Sequence, residues 1–124
     1  DMILSNDPKM RINVFSMNKD KSTSKILGNK FGNIINNYPQ FESILDSTSI
    51  IQKSKIFISS DTAMIHLSDA AQTPVLGLFS GDNNNLARYK PFWTINKIIQ
   101  SDSLSIKNID AATVFSEYKK LVYN

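Results

Sequence analysis

The sequence predicts an α/β fold with a doubly wound, Rossmann-like parallel sheet. Short apolar runs typical of strands alternate along the chain with longer amphipathic runs typical of helices, and strands separated by helices pair in parallel through crossover connections. The length of 124 residues fits one domain with a core of its own. We therefore expect one sheet of about four or five strands, with any ligand site at one end of it.

The first part of the chain predicts two strands and a short helix between them. Alternating apolar and polar side chains in Arg11–Met17 are typical of a strand, and the polar cluster Asn18–Lys21 predicts the loop after it. A helix over Ser22–Leu27 should stop at Gly28, because glycine commonly ends helices. A weak second strand is expected at Asn33–Asn36, closed by an Asn-Tyr-Pro turn.

An amphipathic helix and a buried strand are predicted next. From Gln40 to Ser54, apolar groups recur every three or four residues, so one helical face can turn toward a core. That face consists of Phe41, Ile44, Leu45, Thr48 (through its methyl group) and Ile51. Residues Lys55–Ser60 form a β-branched and aromatic run that is too short for a helix, which predicts a buried central strand.

A further helix and strand follow directly. Asp61 is expected to cap a helix that runs to about Gln72, where a Thr-Pro pair breaks it. Val75–Phe79 is apolar throughout and predicts another buried strand. The polar residues 80–91 are expected to form a loop after that strand.

An edge strand at Thr94–Ile99 and a final helix that begins at Asp110 complete the predicted order. Ile109 can pack against Val114 as a hydrophobic staple at the start of this helix. Four of its side chains share one face: Ala111, Phe115, Tyr118 and Val122.

Composition and charge exclude several classes of protein. The absence of cysteine excludes a disulfide scaffold and a thiol nucleophile, and it permits a reducing compartment. The net charge of +3 is spread evenly along the chain, so we expect a solvated surface and no nucleic-acid partner. No apolar run approaches the roughly 20 residues of a membrane span, and the N-terminus has no leader pattern, so we expect a soluble, cytoplasmic chain.

Candidate chemistry is concentrated where the strand before Asp61 meets the helix after it. Ligands of such sheets bind beyond the carboxyl ends of strands, and the backbone N–H groups of Thr62, Ala63 and Met64 would be unpaired at a helix start. They suit an anion such as phosphate. Asp61 could accept from the hydroxyls of an attached sugar, and His66 could donate to a phosphate oxygen, which together suit a sugar diphosphate. The same residues would also be present if Asp61 were an ordinary helix cap and His66 a partly buried packing residue.

Residues 56–81 resemble the signature of the ADP-heptose:lipopolysaccharide heptosyltransferase family, also called glycosyltransferase family 9. That signature is an apolar strand, Asp-Thr-Gly, a His four positions after the Thr, an Ala-rich run, Thr-Pro, and a second apolar strand that ends in Phe-Gly. Eight residues of this chain stand at matching positions: Asp61, Thr62, His66, Ala70, Ala71, Thr73, Pro74 and Phe79.

The resemblance implies one lobe of a two-lobed GT-B glycosyltransferase. Residues 1–124 would be a single, partial C-terminal domain that binds the nucleotide-sugar donor, with Asp61, Thr62, Ala63 and His66 facing its sugar and diphosphate. The parent enzyme would transfer a heptose-like sugar to a lipopolysaccharide or other glycolipid acceptor, with inversion and without a required metal or cofactor. The catalytic base would lie in the N-terminal domain, so the resemblance assigns no catalytic residue here, and it allows peripheral contact with the inner face of the cytoplasmic membrane.

The chain departs from the family pattern at several positions. Ala63 replaces the usual glycine, which requires near-helical backbone there, and Ser68 and Asp69 stand where small apolar residues are commoner. The family's first C-terminal-domain strand, with a donor-contacting lysine after it, has no counterpart before residue 11. For the acidic residue expected after the next strand, the sequence offers only Asp20.

Two other hypotheses remain open at this point. A non-catalytic α/β module could use the same helix start to bind a nucleotide or another anion, or the chain could be degenerate and bind nothing. Asp61 separates the first of these from a sugar site, because simple anion binding should improve when Asp61 becomes Asn. Arg88 and Lys90 could hold phosphate or an anionic acceptor, or serve only solubility. A zinc site at His66 is not expected, because the chain has no second His and no Cys.

Overall fold

The computed structural model describes residues 1–16, 21–38 and 43–123, and it forms two compact units, Asp1–Ile44 and Leu45–Asn124. Every strand pair in it is parallel, and helices separate successive strands, as the α/β prediction requires. The five described strands lie in two sheets, of two and three strands, rather than in the single sheet expected. The predicted loop around Asp20, the proline of the Asn-Tyr-Pro turn and Phe41 lie outside the described residues.

The first unit is a small parallel β-α-β arrangement. Its two strands pair in register from Ile12 with Ile35 to Phe15 with Tyr38. The elements are α1 (Met2–Asn6), β1 (Ile12–Phe15), α2 (Lys21–Phe31), a 3-10 turn (Gly32–Ile34) and β2 (Ile35–Tyr38). The strands confirm the two that alternation predicted, although β2 begins two residues later than expected, whereas α1 was not predicted.

The prediction that α2 stops at Gly28 is wrong. The helix continues through Gly28 to Phe31, and it is Gly32, with a φ of 54°, that adopts the left-handed conformation just past the end. Both glycines match the sequence signal for a helix end. Only the backbone conformation at Gly32 requires a residue without a Cβ, because left-handed geometry is costly for other residues.

The second unit holds a three-stranded sheet in the order β3-β4-β5. Residues Phe57 and Val75 are paired at one end, and Phe79 pairs with Gln100 at the other. The elements are α3 (Ile44–Gln52), β3 (Phe57–Ser60), α4 (Ala63–Ala70), β4 (Val75–Phe79), α5 (Asn83–Tyr89), β5 (Asn96–Gln100), a 3-10 turn (Ile106–Asn108) and α6 (Ala111–Tyr123).

The middle strand of this sheet is β4, not the strand after Lys55 as predicted. Val75, Leu76 and Phe79 of β4 are buried, and Val75 and Phe79 pack with Ile65 of α4 in the core. The residues of β3 are only half-buried, because β3 is at one edge of this sheet and has one strand neighbour in it. The predicted edge position of β5 is confirmed.

The apolar face predicted for α3 is only partly buried. Ile51 is fully buried and Ser47 is buried one turn before it, whereas Ile44 and Leu45 are 62% and 71% exposed. The helix begins at Ile44, so both exposed residues lie in its first turn. Burial is therefore concentrated in the later part of α3, at Ser47 and Ile51.

Helix α5 was not predicted, and α4 ends earlier than predicted. Residues 80–91, expected to be a loop, contain α5, whose N-cap Asp82 accepts hydrogen bonds from the backbone N–H groups of Asn84 and Asn85 at 2.9 and 3.4 Å. Helix α4 ends at Ala70 rather than near Gln72, and Gln72 has a φ of 56°, which is incompatible with a continuing helix.

The final helix follows the prediction closely. Asp110 caps α6, since its Oδ2 accepts from the backbone N–H of Thr113 at 3.0 Å, and Tyr118 is buried on the predicted face. Phe115 and Val122 on that face are half-buried, while Ala111 is exposed. Within the described ranges, no helix combines the length and apolar character needed to cross a bilayer.

Candidate functional site

The candidate site lies at the carboxyl end of the three-stranded sheet. Ser60, the last residue of β3, is paired with Leu78, one residue before the end of β4. The polar segments that follow the two strands, beginning at Asp61 and Ser80, therefore emerge at the same end of the sheet. This is the position at which open α/β sheets bind ligands.

Helix α4 begins with an N-terminus that no side chain caps. Its N-cap is Thr62 rather than Asp61, with extended backbone at φ −144° and ψ 161°, and the Thr62 side chain makes no capping hydrogen bond. The Thr62 hydroxyl is instead 3.1 Å from the Ser59 hydroxyl. The N–H groups of Ala63 and Met64 have no partner within a helix that starts here, so they and the helix dipole can face an anion.

Ala63 is compatible with this arrangement. It is the first residue of α4 and its φ is not positive, as is required where alanine replaces the glycine of the family pattern. Both Thr62 and Ala63 are exposed and have small side chains, so a phosphate could approach the backbone N–H groups at the start of α4.

Asp61 is half-buried between β3 and α4 and does not cap the helix. Its carboxylate forms no hydrogen bond or ion pair with any residue that the structure describes. If Asp61 capped α4, its carboxylate would accept hydrogen bonds from the N–H groups of the first turn. Because Asp61 is not used in that way, both its oxygens can accept hydrogen bonds from hydroxyl groups.

His66 lies one turn after Thr62 and is exposed. Residues four apart lie on one helix face, so α4 brings Thr62 and His66 to the same side. The His66 ring meets the Tyr89 ring edge to face, with centroids 6.3 Å apart and an interplanar angle of 66°. Tyr89 is the last residue of α5, the helix missed in the sequence, so the sequence alone could not show this contact.

Asp69 has a structural role that the sequence did not predict. It is only 6% exposed, and its carboxylate accepts three backbone N–H groups: those of Phe92 (2.9 Å), Trp93 (2.8 Å) and Thr94 (2.7 Å). Burial by itself would raise the pKa of Asp69. The three N–H donors and the nearby His66 outweigh it, so the pKa lies below its ordinary value.

A sequence signal for this role did exist. Asp69 follows Ile65 by four residues, which places a carboxylate on the buried face of α4, and the resemblance marked the position as one where small apolar residues are commoner. A buried carboxylate needs donors, and a short loop supplies them here.

The loop after β4 is packed tightly against the loop after β5. The backbone N–H of Gly81 donates to the Ser103 carbonyl oxygen at 2.6 Å. A Cβ at residue 81 would lie 3.0 Å from that oxygen and 3.1 Å from the carbonyl oxygen of Ser101. Gly81 is therefore required by close backbone approach at this end of the sheet.

Arg88 and Lys90, the two cations considered for phosphate, are located at the far end of α5. The helix begins beside the carboxyl end of β4, and its seven residues span about 10 Å before Lys90. Tyr89 lies between them in sequence and contacts His66, so the end of α5 that carries both cations is beside one residue of the candidate site. Among the described residues, no group of three His, Cys, Asp or Glu side chains could hold a metal ion.

Comparison with known families decides the classification. The family model described as glycosyltransferase family 9 (heptosyltransferase) matches residues 41–119, which is more than half of the chain. The chain belongs to glycosyltransferase family 9. The matched residues include the whole start of α4 with His66, and also the Asp69 carboxylate and the loop that it holds. The resemblance inferred from residues 56–81 is thereby confirmed.

Two solved structures share the fold of this family 9 chain. One is described as the glycosyl transferase family 9 from Veillonella parvula DSM 2008, with a TM-score of 0.73 and 13% identity over 91% of this chain and 36% of that one. The other is E. coli heptosyltransferase WaaC with ADP, with a TM-score of 0.76 and 17% identity over 96% of this chain and 36% of that one. The predicted fold class, an α/β lobe of a GT-B glycosyltransferase, is confirmed by this likeness.

The family 9 chain spans about a third of the length of each of these two structures. No curated protein sequence matches it closely enough to count as a relative.

Proposed function

We propose that residues 1–124 are a partial C-terminal, donor-binding domain of a glycosyltransferase that transfers a heptose-like sugar from a nucleoside diphosphate to a glycolipid or other glycan. The observation that supports this most directly is the uncapped start of α4 at the carboxyl end of β3, beside a half-buried Asp61 that does not cap it. It lies within the residues that match the family model.

The diphosphate would be bound by the N–H groups of Ala63 and Met64 and by the Thr62 hydroxyl. These donors are fixed before the ligand arrives, because α4 and β3 hold them in place, and fixed dipoles cost no reorganisation when charge develops on a departing diphosphate. Asp61 would accept hydrogen bonds from sugar hydroxyls. A carboxylate that binds neutral hydroxyls beside a bound anion favours a sugar diphosphate over a bare anion.

His66 would donate a hydrogen bond to a diphosphate oxygen and so stabilise the leaving group. Its ring is exposed and held edge to face by Tyr89, and it lies on the same helix face as Thr62. The base that deprotonates the acceptor hydroxyl would come from the other domain of the parent enzyme.

The WaaC structure with ADP makes ADP-heptose the donor to test first. A lipopolysaccharide acceptor would put the parent enzyme in the bacterial cytoplasm, at the inner face of the cytoplasmic membrane. Peripheral contact with that membrane is part of the same proposal.

Calorimetric titration of the chain with ADP and with ADP-heptose tests this function. We expect both ligands to bind and the sugar to add affinity. Asp61→Asn should weaken ADP-heptose about tenfold or more while leaving ADP unchanged or tighter, since hydrogen bonds to a charged group contribute about 1.5–3 kcal/mol. His66→Ala should weaken both ligands. Asp46→Asn, at an exposed position on α3, is the matched control and should change neither.

Two outcomes would contradict the proposal. Absence of binding by either ligand at millimolar concentration would rule out a donor site in this chain. Equal tightening of ADP and ADP-heptose by Asp61→Asn would show a simple anion site, as expected of a non-catalytic module.

A further inference from the structure

The N-cap residue of α4 has a hydroxyl group that could close the helix end and does not. Thr62 has the extended backbone of an N-cap, and its hydroxyl would ordinarily accept the N–H of the second or third helical residue. The Thr62 side chain makes no such hydrogen bond. Ser105, also a hydroxyl residue at an N-cap position, does accept a backbone N–H, from Lys107 at 3.3 Å. The chain thus uses a hydroxyl cap elsewhere, and its absence at Thr62 needs a local cause.

The N–H of Met64 is the group that a Thr62 cap would take. The N–H of Ile65, the third helical residue, already donates to the Thr62 carbonyl oxygen at 3.0 Å. Met64 is the second helical residue, and its N–H has no acceptor within α4. It is also one of the two amides proposed above to bind the diphosphate. A capping Thr62 hydroxyl and a bound phosphate would therefore compete for the same N–H.

The Ser59 hydroxyl engages Thr62 in another direction. The two hydroxyl oxygen atoms are 3.1 Å apart, and either of them can be the donor. When Ser59 donates, the Thr62 oxygen is used as an acceptor, while the hydrogen of the Thr62 hydroxyl remains available for a phosphate oxygen. The contact thus withdraws Thr62 from the helix amides and leaves it able to donate to a ligand.

The position of Ser59 is set by the sheet. Ser59 pairs with Gly77 of β4, and residues paired across neighbouring strands have their side chains on the same face. Val75 and Phe79 share that face with Gly77, because side chains alternate along a strand, and both pack with Ile65 of α4. Ser59 therefore lies on the face of the sheet that α4 covers. Regular strand geometry places its hydroxyl at the start of the helix.

We propose that Ser59 is a positioning residue of the donor site, which holds the Thr62 hydroxyl away from the helix amides and so keeps the Met64 N–H free for the diphosphate. The diphosphate half of this inference rests on the proposed function, whereas the restraint on Thr62 does not. Without the Ser59 hydroxyl, rotation of the Thr62 side chain to another staggered rotamer lets its oxygen accept the Met64 N–H. A phosphate must then displace this cap before it can bind.

Amide exchange measured by NMR on isotopically labelled protein tests the restraint without any ligand. In Ser59→Ala, the Met64 N–H should exchange with water about fivefold more slowly than in the unchanged protein, because it gains a capping hydrogen bond. Adding Thr62→Val removes the capping hydroxyl and should restore the original rate. If the contact between Ser59 and Thr62 merely stabilised the loop, Ser59→Ala would speed exchange instead. Ser60→Ala removes a hydroxyl from the opposite face of β3 and is the matched control.

Calorimetric titration with ADP tests whether the diphosphate uses this amide. Ser59→Ala should weaken ADP about fivefold, because binding must break the new cap. Thr62→Val should also weaken ADP, since it removes a hydroxyl donor, but adding Ser59→Ala to it should cause no further loss. A Ser59 hydroxyl that touched the ligand itself would weaken ADP in both backgrounds. Ser60→Ala should bind ADP like the unchanged protein.

Three results would overturn the inference. The first is unchanged or faster exchange at Met64 in Ser59→Ala, which would show that Ser59 does not restrain Thr62. The second is slower exchange with unchanged ADP affinity, which would show a donor site that does not use this amide. The third is equal weakening of ADP by Ser59→Ala with and without the Thr62 hydroxyl. Absence of ADP binding by the unchanged protein would overturn the proposed function and the diphosphate half of the inference, and exchange at Met64 would still decide the restraint on Thr62.

Discussion

At the scale of single residues, Asp69 shows how one side chain supports a surface that it does not itself form. Its carboxylate is buried in α4, yet its hydrogen bonds go to three successive residues of the segment before β5. An isolated buried charge would be costly, but three short N–H donors compensate for the lost water. Ser68, its neighbour, makes a similar local link by donating to the Thr73 carbonyl oxygen at 3.1 Å. Both departures from the family pattern therefore stabilise the end of α4 and connect it to segments later in the chain.

Replacing Asp69 should destabilise the second unit. In Asp69→Asn, the NH2 of the side-chain amide replaces one carboxylate oxygen and cannot accept a backbone N–H. At least one of the three hydrogen bonds is therefore lost, and those that remain have an uncharged acceptor. We expect a loss of about 2 kcal/mol in the free energy of unfolding, measured by urea denaturation. Asp102→Asn changes an exposed aspartate that forms no hydrogen bond or ion pair with the described residues, and it should have little effect. Equal stability of Asp69→Asn and the unchanged protein would contradict the role assigned to Asp69.

The lowered pKa of Asp69 also predicts a pH dependence. Because the folded-state pKa is lower than the ordinary value of 3.8, the charged form stabilises the folded state above that value. This contribution is lost as the pH falls below 3.8 and through the folded-state pKa. The unchanged protein should therefore lose more stability than Asp69→Asn between pH 5 and pH 2. Parallel acid titration curves for the two proteins would show that Asp69 does not contribute.

At the scale of elements, local sequence signals specify the N-terminal cap of some helices but not of others. Asp110 and Asp82 both cap helices by accepting N–H groups of the first turn. Asp61 has the same local sequence signal and does not cap, because the chain leaves β3 in an extended conformation through Thr62, and the N-cap position falls one residue later. The capping residue is decided by the direction in which the strand delivers the chain.

The two glycines of the α2 region give a prediction at this scale. Gly28 has helical surroundings, and a Cβ there would meet only the Asn37 amide nitrogen, at 3.4 Å. Gly28→Ala should therefore raise stability by up to about 1 kcal/mol through helix propensity. Gly32→Ala should lower it by about 1 kcal/mol, because Gly32 has a φ of 54°. Thermal unfolding followed by far-ultraviolet circular dichroism checks both, and the same sign for the two variants would contradict this account of where α2 ends.

At the scale of the whole molecule, the family assignment and the proposed site bear on what the chain can do by itself. The chain spans 36% of each of the two matched solved structures, and the proposed donor site lies entirely in the second unit. Residues that bind a diphosphate and a sugar are present in that unit, but no residue has been assigned the role of accepting the proton of an acceptor hydroxyl.

We accordingly expect binding without transfer. The 124-residue chain should bind ADP-heptose but should not transfer the labelled sugar to a lipopolysaccharide acceptor, as followed by chromatography of the glycolipid. A full-length family 9 heptosyltransferase assayed beside it shows that donor and acceptor are competent. Transfer by the chain alone would place the missing base among its own residues.

Much of the fold could be predicted from the sequence because several elements carry their own signal. The apolar run Val75–Phe79 became β4 with those bounds, and Asp110 with the apolar face around Tyr118 became α6. Helix α5 was missed because its residues, Asn83–Tyr89, are mostly polar and show no apolar periodicity. It is stabilised by the Asp82 cap and by packing of Leu86 against the core of the second unit, which no local pattern reveals.

The sequence by itself determined the α/β class, the parallel pairing of strands and the family, because periodic apolar patterns and the segment from Asp61 to Phe79 are local properties of the chain. The tertiary structure alone decided that β4 is the middle strand of its sheet, that Asp61 does not cap α4, and that Asp69 holds the segment beneath Phe92 and Trp93. The first and last of these depend on groups far apart in sequence, such as Asp69 and Trp93, which are 24 residues apart, and the second depends on the direction in which β3 delivers the chain. Burial and hydrogen-bond partners arise only when such segments meet, so no local pattern can specify them.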